Sequence, residues 1–188
     1  ELARGGMAGA AELAPHWAAA GRPAEAFVAS VEAARQAEAV FGLAEAHTHL
    51  ERVLALWPAV PDAAGLAGVD LAGLCAWTAG LASHVGAAPR AVELARRAIE
   101  LVGSEDPHRA ALLQVDLGEY LYEIESDDAA LAALERAVEL VPAEPPSAAR
   151  AYALGSLAGG VMVAWRHAES LPVGEQLPRF MVLAFAKP

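Results

Sequence analysis

The chain is poor in cysteine, in aromatic residues and in positive charge. It carries one cysteine, 6% aromatic residues, and 13 basic against 24 acidic side chains in 188 residues. Cys75 alone cannot close an internal disulfide. It lies in an apolar helical run, where a lone cysteine reads as a small core residue, and this fits a reducing, cytoplasmic setting. A net charge of -11 leaves no basic face for a phosphate backbone or an anionic bilayer, so direct nucleic-acid and membrane partners are not expected. Runs of β-branched residues are nearly absent, which leaves little from which to build a sheet. The start, Glu-Leu-Ala-Arg-Gly-Gly, lacks the basic-then-apolar order of a signal peptide. The uncharged stretch from Ala151 to Trp165 is shorter than the roughly 20 residues of a membrane span. Nor is there a G-x-x-x-x-G-K-[ST] loop, a G-x-S-x-G elbow or a Cys–His arrangement, so no cofactor and no assembled catalytic set are expected.

What remains is alanine, leucine and helix punctuation. Ala and Leu lose the least free energy on entering a helix, and the pattern predicts an all-α fold of about eight helices. Helix one, about Ala8–Ala20, stops at Gly21; Pro23 opens helix two, which runs to Val40 and breaks at Phe41-Gly42. Helix three covers Leu43–Trp57, and a single long fourth helix is expected over Ala63–Val85, ending at Gly86. Pro89–Val102, closed by Gly103, is the fifth, and Ser104 to Pro107 supply the capping residues of a sixth reaching Ile124. Asp127–Val141 and Ala148–His167 complete the set.

Small residues recur early in successive helices: Ala26, Ala46, Ala91, Ala130 and Ser170. The last two intervals are 39 and 40 residues, while the first two, 20 and 45, are irregular. Helix two thus serves both as the second helix of one repeat and the first of the next. A helix pair cannot bury its apolar stripe alone, so neighbours stack, and small residues let the axes approach.

From Val115 to Pro142 the text V-D-L-G-E-Y-L-Y-E-I-E-S-D-D-A-A-L-A-A-L-E-R-A-V-E-L-V-P resembles a tetratricopeptide repeat. Leu117, Gly118, Leu121, Ala130, Leu134, Ala137 and Pro142 match its pattern, while Gln114 and Glu125 stand where an aromatic and a glycine are usual. The resemblance implies a right-handed stack of antiparallel helix pairs over residues 1–177, followed by an apolar tail over 178–188. More narrowly, H-W-A-A-A-G-R-P-A-E-A, A-E-A-H-T-H-L-E-R-V-L-A-L-W and R-H-A-E-S-L-P-V-G-E-Q are similar to the helical-repeat region of the large ATP-dependent LuxR-type regulators of actinobacteria. In those proteins a nucleotide-binding module precedes the repeats and a helix-turn-helix domain follows them. A chain that starts at Glu1 and holds neither module is expected to be a fragment, the sensing and contact region alone. Bare terminal repeats expose apolar faces, which makes a homodimer one expected state.

The same resemblance assigns the groove. On the first helix of the best repeat, Glu119, Tyr122 and Glu123, with Leu112 and Val115, fall where tetratricopeptide arrays line their concave face. His84 holds the matching place in the preceding copy, and Tyr152 and Met162 in the following one. Rings and carboxylates there suit a basic peptide or a small polar effector. His84, Glu119, Tyr122, Glu123 and Tyr152 are therefore the expected ligand-binding residues.

One denser cluster, Glu45-Ala-His47-Thr-His49-Leu-Glu51, offers a rival reading as a small metal-dependent hydrolase. Helical geometry puts Glu45 with His49 on one face and His47 with Glu51 on another. Two local His–Glu pairs are the expected arrangement, with no metal site. Trp17, Trp57, Trp77 and Trp165 are expected to fill the core or the joints between repeats.

Overall fold

A computed structural model describes residues 9–124 and 127–169, with the backbone alone for 165–169. Nine α-helices and no strand are found among the described residues. They run as α1 Ala10–Ala19, α2 Pro23–Ala39, α3 Leu43–Leu56, α4 Ala63–Ala67, α5 Leu71–His84, α6 Ala88–Val102, α7 Pro107–Leu121, α8 Asp127–Leu140 and α9 Ala148–Glu169. A single 3₁₀ turn, Trp57–Ala59, extends α3. The chain divides into two compact units, residues 1–101 and 102–188.

In the first unit α2 packs between α1 and α3, and α3 packs onward against α5. Its core is built from Ala26, Phe27, Ala34, Ala46, Leu50, Val53, Leu74 and Cys75, all fully buried. Burial pushes the Cys75 thiol above its ordinary range, as befits an inert core cysteine. Trp57 meets Phe27 edge to face with ring centroids 5.9 Å apart, and Trp17 lies under the Arg22 guanidinium at 4.4 Å. Trp77 on α5 donates its indole N–H to Glu38 on α2 at 2.8 Å. All three described tryptophan side chains thus bridge elements, as expected.

Helix ends follow a shared device. After α1, α2 and α5, a residue in the left-handed region turns the chain, and its own amide and the next one return to carbonyls of the last turn. For α5 these are Gly86 to Ser83 and Ala87 to Ala82; for α2, Phe41 to Glu38 and Gly42 to Ala37. Glycine takes the left-handed position at Gly21 and Gly86, but at the end of α2 it is Phe41, with φ 58°.

The expected single helix over Ala63–Val85 is two helices. Gly68 adopts φ 72° and ends the short α4, and Asp70 then caps α5 by accepting from the Gly73 amide at 2.7 Å. The surrounding sequence is apolar in every direction, so no periodicity marked the break. Its signal was local: Gly68 as a stop and Asp70 as an N-cap, two residues apart.

In the second unit α7, α8 and α9 pack pairwise. Ala111, Val115, Leu134, Ala137, Val141 and Ala153 form their shared core, with Tyr122, Val138 and Leu157 packed against it. The anchors Ala26, Ala46, Ala91 and Ala130 are each fully buried, as the repeat spacing requires. Ser170 and the tail over 178–188 lie outside the described residues.

Candidate functional site

The His/Glu cluster on α3 resolves into two separate pairs. His47 Nε2 lies 3.4 Å from Glu51, and His49 Nε2 lies 3.8 Å from Glu45. Glu51 is held by another partner: Arg90 on α6 grips both its oxygens, at 2.7 and 2.8 Å, and keeps its carboxyl below the usual range. Both of its oxygens are therefore engaged by a guanidinium. Among the described residues no group of three or more His, Cys, Asp or Glu side chains converges as a metal site would need. The hydrolase reading thus finds no support in the geometry.

The repeat face of the second unit is different. A helix repeats every 3.6 residues, so Leu112, Asp116 and Glu119 run along one stripe of α7, and Glu123 follows in the turn after its end. Glu119 and Glu123 are exposed, Leu112 is 40% exposed, and Asp116 is half-buried. On α9, which packs against α7, Tyr152 is 49% exposed. The Glu119 charge raises the Tyr152 phenol most, followed by burial and Asp116; a hydrogen bond with the Ser156 side chain opposes them. Glu119, Asp116 and Tyr152 therefore share one electrostatic neighbourhood across two helices.

Asp116 was not among the expected site residues. Burial pushes its carboxyl up to about 6, and the neighbouring Glu119 adds to the shift. Among the described residues no Lys or Arg offsets this. Among the described basic residues of this unit, Arg136 pairs with Glu139 on α8 at 3.0 Å. Arg150 caps the carbonyls of Val138 and Val141. The signal that marks Asp116 is its spacing, four residues after Leu112 and three before Glu119.

The expected register on α7 is corrected at two positions. Val115 is fully buried, and Tyr122 packs against the α7–α8–α9 core. A β-carbon on Gly160 of α9 would stand 2.5 Å from the Tyr122 hydroxyl, which is buried without a hydrogen-bond partner. Both residues belong to the inward stripe with Ala111 and Gly118, about 100° around the helix from the stripe of Leu112 and Asp116. Tyr122 is therefore a core residue. His84 ends α5 in the first unit, exposed, with its Nδ1 2.6 Å from the Gly80 carbonyl oxygen. Met162, on α9, is 60% exposed.

No helix among the described residues is long and apolar enough to cross a membrane. No family pattern matches the chain. No curated protein matches it either. Among solved structures, it is similar to the nearly identical TPR-like repeats of a protein from Podosopora anserina described as a kinesin light chain. The identity is 18%, the TM-score 0.59, and the match covers 95% of this chain and 96% of that one. An all-α, tetratricopeptide-like stack of antiparallel helices is the fold of this chain.

Proposed function

We propose that this chain is a protein-binding scaffold whose contact surface is the α7–α9 face carrying Asp116, Glu119, Glu123 and Tyr152. The observation that carries this reading is the half-buried Asp116, with no cation set against it among the described residues, beside an exposed Tyr152 on the neighbouring helix. Carboxylates and rings held on regular helices give a rigid recognition surface, which suits binding better than turnover. TPR-like folds present such faces repeatedly along the chain.

In the same reading the scaffold is the sensing and contact region of a larger LuxR-type regulator, residues 1–177 forming the repeat region. The three phrases quoted above support that assignment, and His84 marks a corresponding position in the first unit. Binding on the repeat face would be transmitted to neighbouring domains.

Site-specific photo-crosslinking tests the scaffold reading. A photoreactive residue at Glu119 is expected to trap a partner that the same residue at Arg136, on the exposed side of α8, does not. Equal trapping from both positions would remove the α7–α9 face from the proposal.

A further inference from the structure

We propose that the outward face of α9 is a docking groove for the chain's own segment Phe180–Ala186.

The groove starts from what α9 turns away from its neighbours. Ala153, Gly160 and Ala164 are buried, on the side that packs against α7 and α8. Around the rest of the helix Tyr152, Leu154, Gly155, Gly159, Met162 and Val163 are exposed, and no charged residue stands anywhere from Ala151 to Val163. The exposed side of α8, by contrast, carries Arg136 and Glu139, and that of α6 carries Glu93, Arg96 and Glu100. A helix that is apolar all round is normally a covered one. Three turns of α9 have no such cover among the described residues.

The exposed face also has relief. Gly155 and Gly159 lie one turn apart, and a β-carbon on either would meet nothing within 4 Å. Helical geometry sets Tyr152 and Val163 along one side of these glycines and Leu154 and Met162 along the other. Leu154 and Val163 are 46% and 41% exposed. Four large apolar side chains thus border a floor of two glycines, a shallow trough that apolar side chains can enter.

The occupant follows from the sequence that leaves α9. Residues 170–179 read S-L-P-V-G-E-Q-L-P-R, with two prolines and a glycine, the residue types with which a chain reverses direction. Phe180-Met-Val-Leu-Ala-Phe-Ala186 follows, an unbroken apolar run with a ring near each end. Ten residues of extended chain reach at most roughly 33–36 Å. The exposed stripe lies between about 9 and about 26 Å back from the end of α9, well inside that reach. Seven extended residues measure roughly 23 Å, enough to cover the roughly 16 Å from Tyr152 to Val163. Phe180 and Phe185 suit the hollow over the glycines, where the Met162 sulfur can meet a ring.

Tethering favours this segment over a second copy of the chain. A segment joined to α9 acts at an effective concentration in the millimolar range, while a separate molecule must give up its translational freedom to bind. A strip of one helix this short also falls well below the roughly 800 Å² per partner that a stable dimer buries.

The test places the photoreactive residue benzoylphenylalanine at Met162 in the intact chain. Products formed at low micromolar concentration are read by digestion and mass spectrometry. Cross-links within one chain to the peptide 180–186 are expected, about fivefold fewer in the variant F180S/F185S. The same photoreactive residue at Arg136 on α8 is expected to give none to that peptide. Without photochemistry, F180S/F185S is expected to melt roughly 4 °C or more below the parent and to bind more of a dye that reports apolar surface.

Cross-links that join two chains would overturn the tethered occupant and make the face a self-association surface. Absence of links from Met162 to 180–186, or equal linking from Arg136, would overturn the groove. A variant that melts with the parent and binds no more dye would overturn the proposal even where cross-links form. None of these outcomes bears on the partner trapped from Glu119, so the scaffold reading stands or falls separately.

Discussion

Gly118 of α7 lies against Leu134 of α8 so closely that a β-carbon on the glycine would stand 2.9 Å from both Cγ and Cδ2 of the leucine. The Ala130 carbonyl oxygen would be 3.2 Å away from the same atom. Leu134 also approaches α9, where a β-carbon on Gly160 would lie 2.7 Å from its Cδ1. One leucine is thus wedged between two glycines on two different helices.

Gly118→Ala is therefore expected to destabilise the chain by about 2 kcal/mol, the usual cost of overpacking a filled core. Urea unfolding read by circular dichroism measures it. In a Leu134→Ala background the same substitution is expected to cost under about 1 kcal/mol, because the obstructing side chain is gone. An undiminished cost there would place the conflict with the Ala130 backbone instead.

Phe41 offers the opposite case. It holds φ 58° with its side chain 87% exposed, where Gly21, Gly86 and Gly103 take the left-handed region elsewhere in the chain. A side chain in this region costs about 1–2 kcal/mol, and glycine's greater freedom in the unfolded chain returns about 0.4–1 of that. Phe41→Gly is expected to raise stability by roughly 0.5–1 kcal/mol. A lower melting temperature would show that the exposed ring contributes packing.

The Asp116 carboxyl, raised to about 6, costs stability when ionised. The folded state holds this proton more tightly than the unfolded chain, whose value is near 4. Stability associated with the group is therefore greatest at low pH and declines as pH rises from about 4 to about 6. Asp116→Asn is expected to stabilise the chain at pH 7.5 by about 1–2 kcal/mol after solvent screening, with the gain vanishing near pH 4. Unfolding by urea across that range gives the curve; a gain independent of pH would mean the effect is not ionisation. The titratable groups that interact with Asp116 are Glu119 and Tyr120 on α7 and Tyr152 on α9.

Arg90 and Glu51 join α6 to α3 through two parallel hydrogen bonds. Lysine keeps the charge but loses the fork, so Arg90→Lys is expected to cost about 1 kcal/mol at pH 7. Because the Glu51 carboxyl is held low, this contribution is present above the ordinary glutamate range and fades as pH falls through it. The variant and the parent are expected to converge in acid unfolding. If the gap persisted at low pH, lost packing of the arginine stem would be responsible.

Helix punctuation was readable from residues whose effect is local. Pro23 and Pro107 open helices, Gly21 and Gly86 turn the chain left-handed, and Ala46, Ala91 and Ala130 sit buried where axes approach. The exposed stripe of α7 was harder, because about a quarter turn separates Val115 and Tyr122 from Leu112 and Asp116. Apolar residues lie on several sides of α7, so periodicity alone did not fix that angle; the packing of Leu134 against Gly118 and Gly160 does. The tetratricopeptide resemblance placed Tyr122 in the groove, yet its ring packs against the core of α7, α8 and α9. Spacing puts Asp116 on the stripe of Leu112 and Glu119, but its raised carboxyl comes mainly from burial, which spacing does not show.

The short helix α4 changes what the uneven repeat spacing means. The 45 residues between Ala46 and Ala91 look like a decayed period, but they contain an inserted turn of helix fastened to its surroundings. Arg35 on α2 donates to the carbonyl of Ala67, the last residue of α4, at 2.8 Å and so satisfies a helix end that would otherwise lack a partner. The joint between α3 and α5 thereby absorbs extra chain while α3 still packs directly on α5. Length can be added at such a joint without shifting the phase of the helices on either side, so a ruler laid along the sequence will misjudge repeats that three-dimensional stacking keeps in step.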